Sequence, residues 1–204
     1  IRSQTSSPVF TVPNGVDTTY FQYTPRKISD DISFLFVGNF AWVQNRDAVQ
    51  HLARDIWPAV RESYPDSRLT VVGKNASHRM KTMLNRAGIS LCETVEDIRD
   101  VYSTHEIAFA PIRVGGGTKF KILESMASGI PVISTKQGVK GLPVQDKKHF
   151  ILAEHGQEYV RAVKTLKDNI SLMRRITANA RALIESKYSW MRISKTLERV
   201  WKSV

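Results

Sequence analysis

Cysteine is almost missing from this chain. Cys92 is the only one in 204 residues, which excludes a disulfide framework and any cysteine-rich zinc site. The five histidines, at 51, 78, 105, 149 and 155, form neither His-x-His nor His-Glu-x-x-His. No two aspartates stand two apart, so no Asp-x-Asp is available to hold a metal on a nucleotide. A Gly-x-Ser-x-Gly nucleophile turn is missing too. Metal catalysis and nucleophilic triads are therefore not expected, and no metal ligands are assigned. No apolar run approaches the ~20 residues of a membrane-spanning helix. The first residue is Ile1 and no signal-peptide pattern follows it, so the chain reads as a piece of something longer.

Acidic residues are also scarce. Asp plus Glu is 19 against 30 Lys plus Arg, a net charge of +11. Residues 156–204 hold 11 of the basic and 4 of the acidic residues, so +7 of that charge sits in the last quarter. Such a balance suits nucleic acid, anionic lipid or a phosphorylated ligand, or else merely solvates helix faces. No aromatic-basic platform supports nucleic acid, which is not expected as a partner.

Residues 1–30 are rich in Ser, Thr, Pro and Asp and read as an irregular lead-in. Beyond them, short apolar runs alternate with segments of helical period. Strands are expected at 32–37, 69–72, 89–92, 106–110, 131–134 and 150–153, separated by helices at 45–64, 76–87, 95–102 and 118–128. The chain from about 155 onward reads as helix. Strands alternating with helices predict an α/β fold, a doubly wound parallel sheet of six strands. In such a sheet ligands bind beyond the carboxyl ends of the strands. Those ends are Gly38-Asn39, Gly73-Lys74, Glu93-Thr94, Pro111 to Arg113 and Thr135-Lys136.

One of these ends carries the strongest signal. The fourth strand runs into Gly115, Gly116 and Gly117, and a helix is expected to open at Thr118. Helix N-termini offer unpaired N–H groups to phosphate, and glycines allow close backbone approach. Arg113, Lys119 and Lys121 add full charges. The alternative is a plain tight turn. The order Gly-Gly-Gly-Thr-Lys fits neither the P-loop nor the Gly-x-Gly-x-x-Gly fingerprint. Glu124 stands in an almost wholly apolar helix, between Ile122-Leu123 and Met126-Ala127. A carboxylate there must be paired or hydrogen-bonded. It meets either a ligand hydroxyl or a neighbouring Lys or Arg.

These residues, taken together, resemble the C-terminal half of a GT-B glycosyltransferase of the group 1 (family 4) type. The resemblance rests on Pro13-Asn14-Gly15-Val16-Asp17 with Phe21, on Phe36-Val37-Gly38 with Asp47, and on Gly73. It rests above all on Pro111 to Val132, with Glu124-Ser-Met-Ala-Ser-Gly129-Ile-Pro131-Val, and on Tyr188-Ser189-Trp190. It implies a Rossmann-like domain over 31–188 that binds a nucleotide-sugar donor such as a UDP- or GDP-sugar, with no cofactor. A C-terminal crossover helix over 189–204 would return to an N-terminal half that supplies the acceptor site and the catalytic group. Glu124 would hold the ribose hydroxyls. Gly115 to Thr118 would meet the diphosphate and the sugar, and Thr94-Val95 would flank the base. The family's second glutamate, eight residues earlier, falls on Gly116. Its phosphate-binding Arg and Lys after the first strand, next to Gly38, fall on Asn39 and Gln44. Arg46, Arg113 or Lys119 would then take over that charge.

The resemblance implies a retaining, metal-independent hexosyltransferase acting on a lipid-linked or polysaccharide acceptor. It is expected in the bacterial cytoplasm, with an anionic membrane surface as a further partner. A GT-B sugar-nucleotide epimerase and a non-catalytic binding module are the other readings. The last segment also carries an apolar stripe of Trp190, Ile193, Leu197, Val200, Trp201 and Val204, spaced for one helical face.

Overall fold

A computed structural model describes residues 9–203. Residues 1–8 of the lead-in and Val204 of the apolar stripe lie outside the described residues. Six strands form one all-parallel sheet: β1 (Ser33–Val37), β2 (Arg68–Val72), β3 (Ser90–Cys92), β4 (Ile107–Ala110), β5 (Val132–Ser134) and β6 (Ile151–Leu152). Their order is β3-β2-β1-β4-β5-β6. The register pairs Phe34 of β1 with Leu69 of β2 on one side and with Ile107 of β4 on the other. The doubly wound architecture expected from the alternation of elements is the one observed.

Alternation along the strands builds two cores, because successive side chains face opposite sides of a sheet. Phe34, Phe36, Phe109 and Ile133 enter one core, with Val49, Leu52, Trp57 and Tyr159 from the helices. Leu35, Ala108, Ala110 and Val132 enter the other, with Leu123, Met126, Ala127, Ala180 and Ile184. Both faces of the central strands are covered, as a parallel sheet requires.

The first helical span runs as α1 (Val43–His51), a π-helical turn (Leu52–Ile56) and α2 (Trp57–Ser63). Expectation put one helix over 45–64. The difference lies at Pro58, the second residue of α2. A proline inside a helix has no N–H to donate and crowds the carbonyl four residues back, and a π turn relieves both. Next come α3 (His78–Arg86), α4 (Ile98–Thr104) and α5 (Phe120–Ser128). α4 starts late because Asp97 caps it, its carboxylate accepting from Arg99 N. The chain beyond 155 is three helices, α6 (Gly156–Asp168), α7 (Ile170–Lys187) and α8 (Trp190–Lys202). Asn169 divides the first two by accepting from Leu172 N at 2.8 Å.

The described part of the lead-in, residues 9–30, is irregular and packs on this domain. Val16 bridges Ser189, and Val16 and Phe21 are buried in the second core. Arg181 of α7 donates to the carbonyls of Thr18, Phe21 and Ala127. Among the described residues of the apolar stripe, only Ile193 is buried. Trp190 and Leu197 are about half exposed, and Trp201 is 82% exposed. No helix among the described residues is long and apolar enough to cross a membrane.

Candidate functional site

β1 and β4 are neighbours in space, yet their chains leave toward opposite edges of the sheet. That reversal opens a crevice at their carboxyl ends. A pocket of about 430 Å³ lies there, walled by the segment after β1 and by the start of α5. Gly38, Asn39, Thr118, Lys119 and Glu124, all expected at the site, line it. Trp42, Gln44, Asn45 and Lys121 line it too.

Glu124 projects from α5 into this pocket. Its Oε2 accepts a hydrogen bond from the Tyr102 hydroxyl at 2.7 Å. No protein donor among the described residues meets Oε1. No lysine or arginine pairs with the carboxylate either, so the salt-bridge alternative is not what the fold builds. Burial pushes the Glu124 carboxyl upward, opposed by the Tyr102 hydrogen bond and by the charge of Lys121. Tyr102 is fixed in turn, 1% exposed and edge-on to Phe21 at 5.5 Å.

The glycine loop is a loop for longer than expected. Gly115 and Gly117 have φ of 89° and 75°, a left-handed backbone that side-chain-bearing residues rarely adopt. Lys119 is still non-helical, and α5 begins at Phe120 rather than Thr118. Gln137 holds the loop from outside, donating to Gly115 O at 2.7 Å. Lys119 holds it from inside. Its Nζ donates to Gly116 O at 3.0 Å and to Gly117 O at 2.8 Å. Burial lowers the affinity of this ammonium for its proton.

Several expected residues have other employment. Arg113 makes a two-pronged pair with Asp47, at 2.7 and 3.1 Å. Arg46 donates to the carbonyls of Phe40 and Ala41, closing the turn after β1. Neither lines the pocket, and both guanidiniums are engaged within the protein. Gly115, Gly116 and Gly117 shape the loop behind Thr118 without lining the pocket. Thr94 and Val95 are not in its wall, and Val95 packs into the second core. The Asn39 side chain is occupied as well, its Oδ1 accepting from Ala41 N and from Asn75 Nδ2.

Sequence reading counted Lys121 only as one more charge and did not single out Asn45 or Trp42. Lys121 Nζ donates to Asn45 Oδ1 at 2.6 Å and lies 4.1 Å from the centre of the Phe36 ring. Burial pulls this ammonium down to about 7, with Glu124 opposing the shift and Lys119 adding to it. The signal that was available is the position of Lys121 three residues before Glu124, on the same helical face.

The pocket itself offers one carboxylate, Glu124. Elsewhere the fold brings His51, Asp55 and His155 together, their ligand atoms within 4.8 Å of one another. Sequence spacing did not foresee that meeting. His51 Nε2 is bonded to Glu154 O at 2.9 Å, and Asp55 accepts from Gly156 N at 3.0 Å. The cluster clamps the π turn to the start of α6, away from the pocket.

Residues 31–169 match the family described as glycosyl transferases group 1. The chain is 26% identical over 172 residues to an uncharacterised 44.6 kDa protein of the cps region of Klebsiella pneumoniae. That alignment covers 80% of this chain and 44% of the relative, so the chain spans less than half of the curated protein it matches. Among solved structures, the C-terminal domain of the group 1 glycosyl transferase LpcC from Francisella tularensis superposes with a TM-score of 0.65 at 21% identity. That match covers 86% of this chain and all of the other. Anabaena Alr3699/HepE, solved in complex with UDP and glucose, gives 0.73 at 16% identity, over 95% of this chain and 56% of its own. At these identities the two structures establish the fold alone.

Proposed function

The chain belongs to the group 1 glycosyltransferases, and from that premise we propose that it is the donor-binding half of a hexosyltransferase. The acceptor is a lipid-linked or polysaccharide chain, a reading supported by the cps-region origin of the Klebsiella relative. One observation carries the donor assignment. At the switch point of the sheet, a partly buried carboxylate with a free oxygen and Thr118, the residue that ends the glycine run, line one pocket of about 430 Å³. Glu124 Oε1 accepts from the ribose hydroxyls, while Tyr102 keeps the carboxylate aimed. The loop from Gly115 to Thr118 and the start of α5 receive the diphosphate. The Anabaena structure, which holds UDP and glucose, supports this class of ligand.

Sugar transfer leaves charge on the departing nucleoside diphosphate. Fixed N–H dipoles and ammonium groups stabilise that charge without rearranging as it develops. Positioning supplies much of the remainder. In this reading the reaction needs no divalent metal and retains anomeric configuration, as the family resemblance implies. The group that touches the acceptor comes from an N-terminal half. Asn39 and Gln44 in the pocket wall, both uncharged, favour a second reading, a nucleotide-binding module without catalysis. A further element is peripheral membrane contact through the exposed tryptophans of α8 and its Arg192, Lys195 and Arg199.

A thermal-shift panel of UDP, GDP, ADP and their sugars, run with chelator, tests the donor reading. A ligand bound only by the native state raises its melting temperature. At least one nucleoside diphosphate should do so in chelator. No shift from any of them removes the reading.

A further inference from the structure

The pocket contains a cation without a counter-ion. Lys121 enters it from the first turn of α5, and among the described residues no carboxylate comes within salt-bridge distance of its ammonium. Its contacts are the Asn45 amide oxygen and the face of Phe36. Both are weak compensation for removing an ammonium from water.

The surroundings of Lys121 are built with some care. Asn45 is 8% exposed. Its Nδ2 donates to Asn39 O at 2.7 Å, which turns Oδ1 toward Lys121. Lysine can only donate, so this orientation of the amide is the one that satisfies both ends. A Cβ on Gly38 would lie 2.8 Å from Asn45 Cγ, so glycine at 38 makes room for the amide. Gly38, Asn39, Asn45 and Lys121 thus form one unit that holds an ammonium at the pocket wall. Gln44 flanks it and, like Asn39, carries no charge, while Arg46 and Arg113 are engaged elsewhere.

We infer that Lys121 is the cation that meets the donor's diphosphate, with Asn45 as its positioning residue. The inference rests on the donor-binding reading above. It carries a consequence for pH. The charged groups that act on Lys121 are Glu124 and Lys119, both from the α5 segment. β1 presents Phe36 and α1 presents Asn45, and neither titrates. Without ligand, burial lets this lysine lose its proton near pH 7. An adjacent anion restores the proton. Binding above pH 7 therefore takes up a proton, and diphosphate affinity falls as pH rises past that point. The nucleotide's own terminal phosphate, with a second pKa of about 6, is fully ionised by pH 8.

Calorimetry at pH 8, in two buffers of different ionisation enthalpy, reads both parts. The probes are UDP, uridine and inorganic pyrophosphate, on the chain and on Lys121→Met and Lys121→Arg. The chain should take up a measurable fraction of a proton per UDP. Lys121→Met should take up none and lose at least about tenfold in affinity for UDP and pyrophosphate, while uridine binding stays as it was. Lys121→Arg should keep its affinity and show no uptake. UDP binding with no proton uptake by the unsubstituted chain, together with unchanged affinity in Lys121→Met, overturns the inference. Equal UDP affinity in the chain and in Lys121→Met overturns it and leaves the donor reading standing. Pyrophosphate binding that depends on Lys121, without binding of any nucleoside diphosphate, upholds the cation and removes the donor reading. Binding of neither removes both.

Discussion

Glu124→Gln keeps the shape of the side chain and removes its charge. In the proposed complex that weakens a charge-assisted hydrogen bond to a ribose hydroxyl, worth ~1.5–3 kcal/mol. Nucleoside diphosphate affinity should fall by about 10- to 150-fold. Stability should not fall with it. The amide oxygen can still accept from Tyr102, now 2.7 Å from the carboxylate, and a buried charge is gone. Because burial raises the Glu124 pKa in the folded chain, ionisation at neutral pH opposes folding. Stability tied to this group is full below its unfolded pKa and declines as pH rises through the folded one. Glutamine removes that decline. Glu124→Ala behaves differently, since it also strands the buried Tyr102 hydroxyl, at ~1–3 kcal/mol. For a chain of this length that lowers the melting temperature by roughly 2–12 °C. Calorimetric titration and thermal melting of both variants separate the two roles. Wild-type affinity in Glu124→Gln, or equal destabilisation by the two substitutions, would refute the reasoning.

Lys121 predicts a second pH dependence, in stability without ligand. Its ammonium holds its proton to about 10.5 in the unfolded chain and to about 7 in the folded one. Over that range the unfolded chain binds more protons, so stability should rise with pH. Urea melts at pH 7 and pH 9 should show the rise, and Lys121→Met should flatten it. Gly73→Ala should cost ~3 kcal/mol in the same melts, because its Cβ would fall 1.7 Å from the backbone oxygen of Gly38. Arg181→Ala should open residues 17–24 to proteolysis, since that guanidinium holds the carbonyls of Thr18 and Phe21; an unchanged cleavage pattern would count against it. Serine at Trp190 and Trp201 should reduce self-association in light scattering if the exposed face of α8 is an association surface.

The sheet was legible because its signals are local. Runs such as Ser33 to Val37 and Ile107 to Ala110 are apolar on both faces, and helices of 3.6 period separate them. The helical span around Pro58 was legible, but the π turn that accommodates this proline was not, because it depends on the packing of α1 and α2 against the sheet. The candidate site was legible at Glu124 and Thr118, where a polar residue interrupts an apolar pattern or ends a glycine run. The partners of Arg46 and Arg113 were not legible, because a sequence displays charge and hides pairing. Asp47 lies 66 residues from Arg113, and only the sheet brings them together. Lys121 was undervalued for the mirror-image reason. Its lack of a counter-ion is a property of the folded pocket.

The central claim is that the crevice between β1 and β4 takes a nucleoside diphosphate. A crystal structure of the chain with the nucleoside diphosphate that stabilises it most tests this directly. The account predicts ribose hydroxyls within hydrogen-bonding distance of Glu124 and the diphosphate beside Thr118 and Lys121. Nucleotide bound instead in the separate 290 Å³ groove lined by Tyr20, Arg26, Asp97 and Arg99 would contradict it.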